Sequence, residues 1–292
     1  MATKKAIVTG AAGLLGRETV TQLANAGVEV HALVRSGDQA FRDDVEFHAV
    51  DLGRPLDAAR LPSGVDVVYH LAQAREFRAF PEKALPTFAI NVASTAFLLD
   101  WAVSAGASNF VYASSGGVYR GGTEQTLTED APLQSPETLG YYLAGKLASE
   151  SLVHSYAGQF ATTVLRYFFI YGPGQARGML IPRLYDRVRN GEPLQIQGSD
   201  GMRINPVHAE DAAAATIIAA EIAGRSTINI AGPEVVSLRQ IGELFGEVLN
   251  TRPVFEAVEG IPTHLVASTL RMATELVAPS ITLREAVSEL AG

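Results

Sequence analysis

Tyr142-Leu143-Ala144-Gly145-Lys146 sets a phenol and an ammonium four residues apart, so a helix of 3.6 residues per turn carries both on one face. A tyrosine titrating near ~10 is a poor acid-base at neutral pH. A neighbouring cation such as the lysine favours the phenolate and brings it toward the working range. Tyr141 cannot share this role, because position 145 is glycine. A third group ends the apolar run Phe110-Val111-Tyr112-Ala113-Ser114-Ser115, where Ser115 can donate to a substrate oxygen beside the phenol. Each part has a plainer reading: the serines satisfy turn backbone, and Tyr and Lys four apart are common on solvated helices. Their order after a phosphate loop is what gives them weight. The chemistry they suggest is hydride transfer at a carbinol or carbonyl carbon, with Tyr142 moving the hydroxyl proton and Ser115 polarising the same oxygen.

That loop is Gly10-Ala11-Ala12-Gly13-Leu14-Leu15-Gly16, entered from the apolar stretch Lys5–Thr9. Glycines let the backbone turn sharply and approach a pyrophosphate, which the unpaired N–H groups of a helix N-terminus attract. An ordinary strand-to-helix turn also uses glycine, but a place between the first strand and first helix is the context a dinucleotide site demands. An NAD site usually ends its second strand in an acid that accepts from the ribose 2′-hydroxyl. Here Glu29–Val34 ends in Val34, and Arg35 follows, a guanidinium suited to a 2′-phosphate. NADP is therefore expected ahead of NAD, although an arginine stacked on adenine would serve NAD too. The cationic nicotinamide ring of either, when oxidised, joins the lysine in favouring the phenolate.

These residues need elements to position them, and the chain supplies a regular alternation. Strands are expected at Lys5–Thr9, Glu29–Val34, Glu46–Val50, Val65–His70, Asn109–Ala113, Thr162–Tyr167 and Thr227–Ala231. Amphipathic stretches fall between them, among them Leu14–Ala26, Val92–Ala105 and Tyr141–Ala157. Strands apolar throughout, alternating with helices, indicate an α/β fold with a doubly wound parallel sheet. After Tyr171 the glycines and prolines of Gly172-Pro173-Gly174, Pro182 and Gly191-Glu192-Pro193 suggest a smaller substrate lobe. The expected division is 1–172 plus 207–231 for the Rossmann domain, and 173–206 plus 232–292 for the lobe.

Composition sets bounds. The 292 residues, 47% hydrophobic and 18% charged, suit a globular protein of one large domain or a domain with a lobe. A net charge of -8 with no basic run leaves a nucleic-acid partner without an electrostatic footprint. Cysteine is absent, which excludes disulfides and thiolate chemistry and fits a reducing compartment. Met-Ala-Thr-Lys-Lys passes straight into a strand rather than a signal-like apolar stretch. Ala212–Ala220, read as the most apolar later segment, is about half of the ~20 residues that span a bilayer. A soluble, cytoplasmic protein with no membrane partner is expected.

With the motifs in place, the sequence resembles the extended short-chain dehydrogenase/reductases, the NAD-dependent epimerase/dehydratase family, along nearly its whole length. The resemblance is carried by Thr9–Gly16, His70-Leu71-Ala72, Asn91-Val92, Ser114-Ser115-Gly116-Gly117-Val118-Tyr119, Tyr142 with Lys146, and Leu165-Arg166-Tyr167 with Tyr171-Gly172-Pro173. It implies that Tyr142 is the acid-base, Lys146 its modulator and ribose ligand, and Ser115 the carbonyl ligand. It also implies cofactor contacts at Asp51 and Leu52 for adenine, at Leu71, Ala72 and Ala74, and at Asn91, Ala113, Tyr167 and Ile170. From the residues alone, Asn91 could be a helix cap and Asp51 a turn residue. A homodimer through the helices holding Val92–Ala105 and Tyr141–Ala157 is a further implication.

Departures from the family pattern bear on substrate. Its dehydratases follow the strand-end serine or threonine with an acidic pair that performs elimination; here Gly116 and Gly117 stand there. Its sugar-nucleotide epimerases follow the Arg-Tyr-Phe segment with an asparagine that holds the diphosphate; here it is Phe169. A late arginine is also missing around Pro262-Thr263-His264. Arg203 remains a candidate anion ligand, or else a salt-bridge partner of Glu210 or Asp211. An epimerase working through a transient keto intermediate leads, ahead of an NADP-dependent dehydrogenase or carbonyl reductase on a non-nucleotide substrate. A dinucleotide-sensing binding protein is the third reading, opposed by the intact Tyr-Lys pair. The histidines His31, His48, His70, His154, His208 and His264 show no pair at ligand spacing with an acid, so no metal site is expected. No Gly-x-Ser-x-Gly elbow supports a hydrolase. Phe77, Phe80 and Phe88, with Arg75 and Arg78, line the substrate mouth or merely pack beneath a loop.

Overall fold

A computed structural model describes residues 4–122 and 126–291. Its elements in chain order are β1 (Lys5–Thr9), α1 (Leu14–Asn25), β2 (Glu29–Val34), β3 (Glu46–Ala49), β4 (Val67–His70), α2 (Ala84–Phe88), α3 (Ser94–Ala105), β5 (Asn109–Ser115), β6 (Thr126–Leu127), α4 (Pro136–Ser155) and β7 (Ala161–Tyr167). There follow α5 (Leu180–Arg189), β8 (Leu194–Gln197), β9 (Arg203–Ile204), α6 (Ala209–Ile218), β10 (Arg225–Ile230), β11 (Val236–Ser237), α7 (Leu238–Leu249), β12 (Phe255–Val258), β13 (Val266–Ala267) and α8 (Leu283–Ala286).

β1 is buried on both faces at Ala6, Ile7 and Val8, as a central strand covered by helices must be. It lies inside a seven-stranded sheet of order β10-β7-β5-β4-β1-β2-β3, parallel from β3 through to β5. The order reverses at β1, between β4 and β2, and beyond the carboxyl ends of such strands a doubly wound sheet binds its ligands. β5 runs on to Ser115, two residues past its expected end, and so carries that serine to the sheet rim. α4 begins at Pro136, a favoured first helical residue, rather than at Tyr141. Gly140 breaks it, at φ 72° and ψ 161°, a backbone region open to glycine and not to L side chains. Tyr141 therefore opens a second helical segment that holds Tyr142 and Lys146.

The chain forms two compact units. The first comprises the chain up to Val118 with Gln134–Arg166 and Ala213–Ile228; its core joins Ile7, Leu33, Val68 and Phe110 to Leu98, Leu99, Trp101 and Val153. The second comprises Tyr119–Leu133, Tyr167–Ala212 and the chain from Asn229 on, around Tyr171, Ile181, Leu184, Ile204, Ile241, Phe245 and Leu283. Tyr119–Leu133 thus departs from the sequence reading, which kept it in the first domain. β6 pairs with β13, and the Tyr119 hydroxyl donates to Asn229 Oδ1 at 2.8 Å, both ties within the second unit.

Two further expectations are corrected. Ala212–Ala220 is expected to be the most apolar later segment, but among the described residues it is the helical run Ala84–Ala105 that is long and apolar enough to cross a bilayer by length and composition. Packing accounts for much of that apolarity, since Leu98, Leu99, Trp101 and Ala102 belong to the core of the first unit. The histidines are also not all scattered. Parallel pairing sets His31 opposite Glu46 and Leu33 opposite His48, and brings His31 Nδ1 within 2.8 Å of His48 Nε2.

Candidate active site

The glycine loop leaves β1 at the point where the sheet order reverses. A Cβ on Gly16 would lie 2.1 Å from the Gly10 carbonyl oxygen, and one on Gly10 would lie 2.8 Å from Ala72 Cα. Only bare backbone allows the first helix, the loop and the segment after β4 to approach so closely. Gly13 caps α1 without a side-chain hydrogen bond. The first-turn N–H groups therefore have no side-chain acceptor of their own, and with the dipole they form an anion cradle. Leu14 and Leu15 open that helix, and Leu15 is buried.

His70, at the end of β4, links the loop to the neighbouring helix. Its Nδ1 lies 2.7 Å from Thr9 Oγ1 and its Nε2 2.9 Å from Thr95 Oγ1, while Thr9 Oγ1 also accepts from Ala72 N–H at 3.1 Å. Burial, reinforced by the Lys146 cation, pushes the imidazole down to about 3, so it stays neutral. Asn91 lies in a π-helical turn, Ala89–Ala93, that leads into α3; such single turns often mark functional positions. Its Oδ1 accepts from Ala74 N–H at 2.8 Å, and its carbonyl accepts from Thr95 and Ser149. Asn91 Nδ2 is buried with no hydrogen-bond partner among the described residues. That orphan donor, with the open helix end and the glycine cradle, fits a bound dinucleotide.

Around the rim of β5 the proton-transfer residues converge. Lys146 is 2% exposed, its Nζ donating to the Ala113 carbonyl at 2.7 Å and lying 5.9 Å from the Tyr142 ring centre. Burial pulls its ammonium down to about 8, against the pull of Glu150. Tyr142 is half-buried, donates to Gln73 Oε1 at 2.8 Å, and packs its ring 4.4 Å from Phe77. Burial raises its phenol above the ordinary range, while a hydrogen bond with Ser115 and the Arg78 cation oppose the rise. Desolvation outweighs both influences, so the phenol stands high without the nicotinamide cation that the expected lowering also invoked. Ser115 Oγ accepts from Gly117 N–H at 3.2 Å. A Cβ on Gly117 would meet Leu143 at 3.2 Å and that hydroxyl at 3.3 Å, so the missing acidic pair also keeps the serine uncrowded.

Directly behind the rim, the preceding serine has a different task. Ser114 donates to Glu150 Oε1 at 2.5 Å, and Arg166 holds the same carboxylate in a fork at 3.0 and 2.7 Å. All three are buried, joining α4 to the ends of β5 and β7. Neither Gln73 nor the Glu150–Arg166 pair stood out in the sequence. Gln73 follows His70-Leu71-Ala72 directly, and Glu150 lies one helical turn beyond Lys146 on the same face; those are the signals that could have found them. Phe77 and Phe80 pack on Tyr142 and Tyr141, and Arg78 lies over Phe77, which favours the mouth-lining reading for these residues.

The remaining expected residues lie elsewhere. Arg35 is exposed in the turn after β2, with its N–H and that of Ser36 bonded to Gln39 Oε1. Asp51 accepts from Gly53 N–H and pairs with Arg54, beside the buried Leu52. In the second unit, Tyr167 is buried and Phe169 takes φ 48°, a left-handed conformation costly for a bulky residue and easier for asparagine. Ile170 follows it, its carbonyl accepting from Gln175 at 2.6 Å. Arg203 is exposed. Asp211, one of its candidate partners, instead accepts from Ser280 and Ile281.

Comparison with known proteins agrees with this architecture. The profile of the NAD dependent epimerase/dehydratase family matches residues 6–231. The solved structure of MoeE5 in complex with UDP-glucuronic acid and NAD is 28% identical, covers 98% of this chain and 97% of its own, and superposes with a TM-score of 0.82. A dTDP-4-dehydro-6-deoxy-D-allose reductase of Streptomyces bikiniensis is 27% identical over 84% of this chain and 81% of its own. An uncharacterized UDP-glucose epimerase, YtcB of Bacillus subtilis (strain 168), is 28% identical over 71% of this chain and 67% of its own. Another curated relative is longer, and this chain spans 65% of it.

Proposed function

The chain belongs to the NAD dependent epimerase/dehydratase family, and from that premise we propose that it is a sugar-nucleotide epimerase acting through a transient keto sugar. The observation that carries this reading is the buried Lys146 ammonium beside Tyr142 at the rim that also holds Ser115. Relatives that take uridine diphosphate sugars support the substrate class. Bound, the dinucleotide supplies the hydride acceptor and donor, and a positive ring that favours the phenolate.

The chain's own residues do the rest. Tyr142 takes the proton from a sugar hydroxyl and later returns it, and Ser115 donates to the same oxygen as carbonyl character develops. Lys146 spends one of its three donors on the Ala113 carbonyl. The others are free to hold ribose hydroxyls. Asn91 Nδ2 and the first turn of α1 retain the dinucleotide between half-reactions. Gly116 and Gly117 offer no acid-base for elimination, so the sugar leaves with all its oxygens.

Arg35 gives NADP(H) the tighter fit in this reading, since Val34 ends β2 where an acid would select NAD. Calorimetry is expected to find NADP(H) bound more tightly, with Arg35→Ala weakening NADP selectively; tighter NAD(H) overturns that choice. The same proposal makes the protein a cytoplasmic homodimer through α3 and α4. An apolar recess of about 220 Å³ lined by Phe88, Val92, Tyr141 and Ala148, with Phe88 itself exposed, supports a covered surface there. Sedimentation at micromolar protein is expected to show two chains.

Phe169 favours a second reading, a reductase or dehydrogenase on a non-nucleotide substrate, because it replaces a diphosphate ligand with an apolar side chain. Cofactor retention separates the two. Dinucleotide that survives gel filtration, with UDP-glucose or UDP-glucuronic acid epimerised at no net cost in NAD(P)H, supports the epimerase; steady consumption of NAD(P)H supports the reductase.

A further inference from the structure

We propose that His31, Glu46 and His48 form a binding site for a divalent transition metal of the zinc class, clipping the edge strand β3 to β2. All three side chains share one face of the sheet, because the parallel register sets His31 opposite Glu46, with His48 two residues further along β3. His31 Nδ1 lies 2.8 Å from His48 Nε2 and 3.4 Å from Glu46 Oε2, and His48 Nε2 lies 3.4 Å from Glu46 Oε1. Zinc held by imidazole and carboxylate at ~2.0–2.2 Å keeps neighbouring ligand atoms about 3.3–3.5 Å apart in a tetrahedron. Each imidazole nitrogen already lies at that distance from one oxygen of the Glu46 carboxylate, His31 from Oε2 and His48 from Oε1, and the two nitrogens need to open by about 0.5 Å.

The surroundings match a ligand set. His31 Nε2 is 3.0 Å from Glu29 Oε1, and Lys5 Nζ holds that carboxylate at 3.0 Å. A carboxylate on the far ring nitrogen fixes the tautomer with a proton there and leaves Nδ1 as the donor atom, which is how metal-bound histidines are commonly oriented. Two imidazoles and one carboxylate suit zinc, copper or nickel rather than magnesium or calcium. His31 is buried while the Glu46 side chain is 65% exposed, so an ion can enter from solvent and keep a water as fourth ligand. Glu29 and Glu46 are the first residues of their strands, at the opposite edge of the sheet from the glycine loop and Ser115. The site is therefore structural: β3 has four residues and one neighbour, and a metal would hold it in register.

The test is zinc titration of the whole protein by calorimetry, with metal analysis after gel filtration and cobalt as a spectroscopic probe. One zinc per chain is expected, with tetrahedral cobalt absorption and a raised melting temperature. Glu46→Gln and His48→Gln, both outside the deep core, are each expected to weaken zinc by about tenfold or more while leaving turnover unchanged. No zinc uptake at large excess means that the histidines share only a hydrogen bond, and overturns the proposal. So does uptake that both variants retain, which places the metal elsewhere.

Discussion

The carboxyl-terminal ends of β1, β4 and β5 and the amino-terminal ends of β2 and β3 are rims of one parallel sheet, yet they hold their polar side chains by opposite means. At the first rim three polar side chains are buried and engaged: Lys146 on the Ala113 carbonyl, Glu150 on Ser114 and Arg166, and the neutral His70 between two threonines. At the second, Glu29 and Glu46 are half or more exposed and share two imidazoles. Dense, satisfied hydrogen bonds fix geometry to the tolerance that catalysis needs. A cluster open to water can instead exchange its ligands. The difference teaches where to look for rate effects and where to look for binding effects without rate.

The largest effect is expected at the first rim. Tyr142→Phe should lower kcat by about 10²–10⁴-fold, the usual worth of a positioned acid-base, with dinucleotide affinity little changed. Equal losses in both would mean that the phenol binds rather than reacts. Next comes Glu150→Ala, which takes the buried carboxylate away from the Arg166 guanidinium and Ser114 and should cost about 3–5 kcal/mol in denaturant unfolding. A loss under ~1 kcal/mol would place the pair among weak surface bridges.

A smaller effect follows pH. Lys146 titrates at about 8 in the folded chain, against an ordinary 10.5. The unfolded chain therefore binds the extra proton between those values, and this group's contribution to stability rises with pH across that window. Below it, the full cost of the buried ammonium is present. Activity runs the other way: kcat/KM should fall on the alkaline side with an apparent pKa near 8 as the ammonium is lost. A profile flat through that region would detach Lys146 from the reaction. Smallest of all, His48→Gln without added metal should leave kcat unchanged, which keeps the two rims separable.

Features that reached the sequence as contiguous patterns were legible. The glycine loop and the four-residue Tyr–Lys spacing each lie within a few residues, so strand and helix periods place them, whereas β5, expected to stop at Ala113, runs on to Ser115. β1 and β2 begin and end where their apolar runs do. Register and long-range pairing were not legible. His31 and His48 are 17 residues apart and meet only through the offset of β3 on β2. Tyr119–Leu133 joins the second unit through a two-residue pairing with β13 and a side-chain hydrogen bond to Asn229, ties too short to carry a pattern. The raised Tyr142 phenol also escaped a spacing argument, because spacing counts neighbours and not the water they displace.

The central claim is that a hydride leaves one carbinol carbon of a sugar nucleotide and returns to that same carbon from within the site. UDP-glucose and UDP-glucuronic acid carrying deuterium at the ring carbinol carbons, followed by NMR in ordinary water, test it most directly. The account predicts an epimer that keeps its deuterium at the inverted carbon, formed without net change in free NAD(P)H. Deuterium lost to solvent, or recovered in released NAD(P)H, would contradict it.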